Sequence, residues 1–255
     1  MVHGQCSMVN ELYSHIATFI GSLPSVFDTE GELLYAERNV VKRFVAPDGT
    51  PLIVKRYKFP NFIQRFAYSF YRPSKARRAY EYGLRLTSMG IDTPTPIAYI
   101  EEKNGLLFTY GYFVSAENLN PDCRVLRTDQ NFDNGLLAHD LMVFIAHLHD
   151  LGVMHGDTNL SNFLYEKRGE HYHFAVIDIN RSRFVTPPPS RSDCLHNLMR
   201  LTHIRPLLHH LVSIYADIRG WNSAETTQEV ETLLQHFEQR RKMKHLLRFK
   251  RKVSK

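Results

Sequence analysis

The stretch Val153-Met154-His155-Gly156-Asp157-Thr158-Asn159-Leu160-Ser161-Asn162-Phe163-Leu164, followed by Ala175-Val176-Ile177-Asp178, constrains this chain more than any other. It sets out a His-x-Asp, an Asn five residues after the Asp, and an apolar strand ending in a second Asp. Each polar group has a place in phosphoryl transfer. Asp157 can accept the proton of an acceptor hydroxyl, and Asn162 and Asp178 offer oxygen ligands to Mg²⁺, a hard cation that keeps waters at its other positions. Singly, Asp and Asn between apolar runs are ordinary turn residues. The ordered set is what carries the signal.

A chain of 255 residues with 43% hydrophobic content can bury a full core, in one domain or a two-lobed unit. Cys6, Cys123 and Cys194 are odd in number and widely spaced, so neither a disulfide framework nor a zinc site is expected, and a reducing cytosol fits best. No apolar run reaches the length of a membrane helix and no secretory leader is legible. The net charge of +6 sits at the end of the chain, where Arg240 to Lys255 holds nine Lys or Arg and no acid. Nine taken from +6 leaves the rest slightly acidic, which argues against a nucleic-acid-binding surface.

Along the chain, the apolar spacing from Met8 to Leu23 predicts an amphipathic packing helix stopped by Pro24. Leu33 to Tyr35, Val40 to Val45 and Pro51 to Tyr57 read as strands, the last two joined by a turn at Pro47-Asp48-Gly49. Lys55 follows Leu52-Ile53-Val54 on the third strand, where an ammonium can meet nucleotide phosphates; the plainer alternative is a surface Lys on an edge strand. A phosphate-gripping Lys needs a carboxylate to hold it, and no acid occurs between Asp48 and Glu81, so Glu81 is the default partner. It lies in a helix expected over Ser74 to Met89, with Ser74 as N-cap and Gly90 as stop. The basic and aromatic run from Lys55 to Arg78 fits contact with anionic lipid or a phosphorylated glycan, and equally a solvated face.

Ile97 to Glu101 and Leu106 to Val114 read as a further hairpin, which brings the expected sheet to five strands. Ser115 to Asn118 follows as a hinge. Gly135 to Leu151 reads as a buried helix ending at Gly152, in which a spacing of two puts His147 and His149 on different sides, as structural residues rather than metal ligands. Helices are expected over Ser192 to Tyr215 and from Ala224 into the basic tail.

From about Phe27 to Tyr215 the chain resembles the lipopolysaccharide kinases that phosphorylate Kdo or heptose in the inner core, relatives of the protein kinases. The resemblance rests on Leu52 to Lys55, the Ser74 to Met89 helix with Gly90 and Pro94, His155-Gly156-Asp157 with Asn162, and Ile177-Asp178-Ile179-Asn180-Arg181. It implies an α+β, protein-kinase-like bilobal fold: an antiparallel five-stranded N-lobe sheet plus helix, and an abbreviated, mainly helical C-lobe. Residues 1–26 would be an N-terminal helix, 27–114 the N-lobe, 115–238 the C-lobe and 239–255 a basic tail. It further implies ATP and Mg²⁺ as cofactors, Lys55 on the phosphates held by Glu81, Asp157 as catalytic base, and Asn162 and Asp178 on the metal. The partners implied are a lipopolysaccharide core glycolipid and, through the basic tail, an anionic membrane surface, with the protein cytoplasmic and peripheral at the inner face of the cytoplasmic membrane.

Several residues depart from the protein kinases. No repeated glycine lies around Tyr35 to Val40, Gly156 stands where regulated protein kinases have Arg, Asn159 replaces their Lys, and Asn180 replaces the Gly of Asp-Phe-Gly. These argue against a protein acceptor. The rival expectations are a kinase acting on a protein or a soluble small molecule, and a pseudokinase serving as a binding module, which would be expected to lack Lys55, Asp157 or Asp178.

Overall fold

The computed structural model describes the backbone of residues 3–253 and the side chains of Gln5 and of residues 7–243. The chain divides into two compact units: one runs to Leu119 and takes in Ala175–Arg181, the other comprises Asn120–Phe174 and the chain from Ser182 onward.

The first unit contains β1 (His3–Val9), a 3₁₀ segment (Glu11–Ile16), α1 (Ala17–Val26), β2 (Glu32–Ala36), β3 (Val40–Val45), β4 (Pro51–Arg56), α2 (Phe62–Phe70), α3 (Lys75–Ser88), β5 (Pro96–Asn104) and β6 (Leu107–Ala116). Its sheet is antiparallel, in the order β1-β5-β6-β4-β3-β2. Six strands replace the five expected, because His3 to Val9 pairs along β5 from Asn104 to Ala98 and covers what would otherwise be an open edge. Asn10 makes the switch from strand to helix: its side chain accepts from Leu12 N and donates to the Pro96 carbonyl.

The expected helix over Met8 to Leu23 is therefore corrected at both ends. Its start is strand and 3₁₀ turn, and Pro24 lies inside α1, which continues only to Val26. The proline removes one backbone donor, and burial of Ile20, Leu23 and Phe27 outweighs that loss.

The sheet is covered on both faces. Alternation along β4 buries Leu52 and Val54 against Ile20, Leu23 and Phe27, with Phe44, Ile100, Tyr112 and Val114 completing that core. Phe27 meets Tyr112 edge-on at 5.4 Å, and the Arg56 guanidinium lies over its ring at 4.5 Å while pairing with Asp28. The opposite face packs α3 through Ala76 and Tyr80 onto Tyr57, Tyr99 and Phe113. Period-two alternation puts Lys55 on this second face, opposite Phe113 in register. As expected, Ser74 caps α3 by accepting from Arg77 N, and the helix ends ahead of Gly90.

The second unit contains α4 (Leu136–Asp150), β7 (Val153–Met154), β8 (Phe163–Arg168), β9 (His171–Val176), β10 (Arg183–Phe184), α5 (Arg191–Leu198), α6 (Arg205–Arg219) and α7 (Ser223–Val253). β8 and β9 form a hairpin, and β7 pairs with β10. Leu137, Leu141, Ile145 and Leu148 bury one stripe of α4. The helical stretch expected over Ser192 to Tyr215 forms two helices, with a break between Leu198 and Arg205 where Leu201 is buried and its carbonyl accepts from Leu160 N. His149 is fully buried between Tyr215 and Asn197, whereas His147 is exposed. Cys123 and Cys194 are buried free thiols. Among the described residues no helix is long and apolar enough to cross a membrane. Residues 240–253 continue α7; the side chains of the expected basic tail beyond Met243 lie outside the described residues.

Candidate active site

The first unit brings together Lys55 and Asp178. β4 delivers the ammonium, and the end of the chain's return through residues 175–181 delivers the carboxylate, fixed where Val176 N donates to the Asp92 carbonyl at 2.9 Å and the Val176 carbonyl accepts from Thr93 Oγ1 at 2.8 Å. Lys55 Nζ donates to Asp178 Oδ1 at 2.7 Å, and Asn180 Nδ2 donates to the same oxygen at 2.7 Å. Asp178 holds φ at 56°, a left-handed conformation that non-glycine residues adopt at a cost and that recurs at functional sites. Tyr57 lies beneath, with its ring 5.4 Å from Lys55 Nζ; burial and the Asp178 charge push its hydroxyl pKa well up.

Around this carboxylate the charge is positive. Burial, then the Arg38, Arg181 and Arg78 charges, lower the pKa of Lys75, while Asp178 pulls it back up. Such a cluster is suited to an anion.

In the second unit, α4 ends at Gly152, whose φ of 73° and whose close approach to the Val185 carbonyl oxygen leave no room for a Cβ. β7 then leads into residues 155–162. Gly156 also has φ 73°, a backbone shape that disfavours the Arg found there in protein kinases. Asn162 Nδ2 donates to the Asp157 carbonyl at 2.8 Å; since a carbonyl only accepts, this bond fixes the amide with its oxygen turned elsewhere, available as a ligand. Asn159 Oδ1 accepts from Ser161 N, Ser161 Oγ and Arg127 Nη2, so the residue that replaces a lysine in the protein-kinase pattern shapes the loop. Thr158 Oγ1 donates to the Asn197 carbonyl. Arg200 donates to the Gly156 carbonyl at 3.0 Å and lies 3.4 Å from Asp157 Oδ1, holding a guanidinium beside the candidate base.

Of the residues singled out in the sequence, Lys55 and Asp178 meet in one unit, and Asp157 and Asn162 in the other. Glu81 is not brought to Lys55. Its carboxylate pairs with Arg77 at 2.7 Å, one turn earlier on α3, and both side chains are over two-fifths exposed. The expected hinge is partly consumed by pairing, with Ala116 N donating to the Thr95 carbonyl and Glu117 bonded to Arg43 at 2.6 Å. Tyr57, Lys75, Asn180 and Arg200 were missed as site residues. Lys75 lay within the basic run already noted; Arg200, 43 residues after Asp157, carried no local signal.

The model of the lipopolysaccharide kinase (Kdo/WaaP) family matches residues 62–237. The solved structure of WaaP in complex with acyl carrier protein is similar over 92% of this chain and 97% of its own, with a TM-score of 0.58 at 18% identity, a likeness of fold. The Rio2 kinase of Chaetomium thermophilum, solved as an ADP/Mg²⁺-phosphoaspartate complex, aligns over 88% of this chain and 77% of its own with a TM-score of 0.49 at 14% identity. Among curated proteins, a ribosomal protein S6 kinase-related protein of Homo sapiens is 40% identical over 50 residues, which is 20% of this chain and spans only 12% of that relative's length.

Proposed function

Because the chain belongs to the lipopolysaccharide kinase (Kdo/WaaP) family, we propose that it transfers the γ-phosphoryl group of ATP to a hydroxyl of Kdo or heptose in the lipopolysaccharide inner core. The work is done at the cytoplasmic face of the inner membrane. The observation that carries this reading is the Lys55–Asp178 pair, two residues 123 positions apart meeting at 2.7 Å beneath a cationic cluster.

In this mechanism Asp157 accepts the proton of the sugar hydroxyl as that oxygen bonds to the γ-phosphorus, and the bond to the bridging oxygen breaks, releasing ADP. Arg200, 3.4 Å from Asp157 Oδ1, holds the base in place. Lys55 exchanges its carboxylate partner for phosphate oxygens, with Lys75 and Arg38 standing in for the backbone N–H donors that a glycine-rich loop offers elsewhere. Asp178 in the first unit and the amide oxygen of Asn162 in the second each offer Mg²⁺ an oxygen ligand. Their chemistry fits that ion: both present oxygens, and Mg²⁺ asks for only one or two protein oxygens beside phosphates and water. When bound, the metal would neutralise charge on the phosphate oxygens. The basic end of α7, from Arg240, would hold the enzyme near anionic lipid.

The test is phosphate incorporation into purified core glycolipid lacking that phosphate, followed by mass spectrometry. Asp157→Ala is expected to lower the rate by about 10² to 10⁴ while ATP still binds. Near wild-type turnover in this variant would remove Asp157 from the chemistry, and transfer to a protein or soluble small molecule in place of the sugar would overturn the acceptor.

A further inference from the structure

Helix α2 contains no buried residue, although four of its nine side chains are Phe or Ile. Its N-cap Asn61 accepts from Gln64 N, so the helix is properly started and not a frayed loop. One side ties it down: Arg65 Nε donates to the Phe108 carbonyl, Ser69 Oγ accepts from Phe108 N, and Tyr68 packs edge-on against the Phe108 ring. The other side carries Phe62, Ile63, Phe66 and Phe70, which at 3.6 residues per turn fall within a sector of about 100°. They are 68%, 78%, 46% and 52% exposed, and Tyr71, 79% exposed, packs on Phe66 to extend the patch. No acid lies between Asp48 and Glu81, and Lys58 and Arg72, both exposed, flank the helix.

We propose that α2 is a membrane-docking element whose aromatic face enters the interfacial region of an anionic bilayer. Three features favour lipid over other occupants. The face is an exposed helix side with no buried residue, and acyl chains receive such side chains without a complementary pocket. Aromatic and branched side chains bordered by cations are the pairing that an anionic interface takes up. A second copy is disfavoured, because a two-fold contact would bring the Lys58 and Arg72 cations of both copies to one interface with no acid between Asp48 and Glu81 to offset them. This docking surface is separate from the basic tail and independent of the acceptor sugar assigned above.

The test uses the full chain and vesicles of phosphatidylcholine with or without 30% phosphatidylglycerol, probe quantities chosen for sedimentation binding. Phe62→Gln/Ile63→Gln, at two highly exposed positions, is expected to leave the melting temperature unchanged and to weaken partitioning onto anionic vesicles at least tenfold. Phe62→Trp should shift its emission to the blue on those vesicles and be quenched by brominated acyl chains. A chain ending at Glu238 should keep α2-dependent binding. Because none of these measurements needs turnover, failure of the kinase reading would leave them untouched. The proposal is overturned if the double variant binds vesicles as the wild type does, if Phe62→Trp stays unquenched, or if the double variant loses only binding to purified acyl carrier protein, the partner in the WaaP structure.

Discussion

The Lys55–Asp178 pair can be weighed by a double-mutant cycle. Lys55→Met keeps the apolar stem of the side chain and removes the ammonium. Asp178→Asn removes the charge while retaining an oxygen for Asn180 and a residue that tolerates the left-handed backbone at φ 56°. A charge-assisted hydrogen bond is worth about 1.5–3 kcal/mol when shielded. Here the lysine side chain is 18% and the aspartate 35% exposed, so water screens part of that, and a coupling of about 1–2 kcal/mol is expected. For a chain of this size that corresponds to about 2–8 °C in melting temperature. The assay is thermal and urea unfolding of the wild type, both single variants and the double variant, in the absence of nucleotide. If the single effects sum to the double within about 0.4 kcal/mol, the pair contributes no coupling and the reasoning fails. A parallel cycle of Lys55→Met with Glu81→Ala should be additive, since Glu81 pairs with Arg77; coupling there would restore the partner that the sequence suggested.

Lys75→Met should raise the stability of the nucleotide-free protein and weaken ATP binding, because the ammonium is disfavoured by burial and by Arg38, Arg181 and Arg78 until an anion arrives; a loss of both stability and affinity in melting and calorimetric titrations would refute this. His149 has its pKa lowered from 6.5 to about 4, by burial first and then by the Arg219 charge. The unfolded chain therefore binds more protons between those values, so stability rises with pH from about 4 to 6.5, by up to about 3 kcal/mol for this group; His149→Gln should flatten that part of the melting-temperature profile, and an unchanged slope would assign it elsewhere. Gly152→Ala meets both a φ of 73° and the Val185 carbonyl oxygen, so a loss of about 2 kcal/mol or more is expected in urea unfolding, and a neutral result would contradict the tight crossing there.

What the sequence made legible were features written in a short stretch of chain. The loop from His155 to Asn162 and the apolar run into Asp178 carry their chemistry in consecutive residues, as does Ser74 as the cap of α3. Long-range choices were not legible. His3 to Val9 carries only a short alternation over Gln5 to Met8 and becomes a strand by pairing along β5. Glu81 followed from elimination along the chain, but an arginine four residues earlier on the same helix is always within reach, whereas a lysine on a strand is reached only through tertiary packing. The sequence showed Lys55 to Arg78 only as a basic and aromatic run; the structure forms α2 within it and leaves its apolar side chains exposed, unlike the buried stripe of α4.

In the function proposed above, phosphate would be held by a chain without repeated glycines after β2. A glycine-rich loop binds phosphate with backbone N–H groups, which requires backbone shapes that sequence announces. In this unit the positive charge comes instead from side chains contributed by separate segments: Arg38 between β2 and β3, Lys55 on β4, Lys75 and Arg78 on α3, and Arg181 after Asp178. Scattered through the chain, each looks like an ordinary solvated cation. Lys75 is disfavoured as a cation by burial first and then by the Arg38, Arg181 and Arg78 charges, and an anion bound there would offset both. If the proposed function holds, the cost of gathering these cations in the empty protein and the affinity for phosphate would be two sides of one arrangement, and a variant that lowers the first should lower the second.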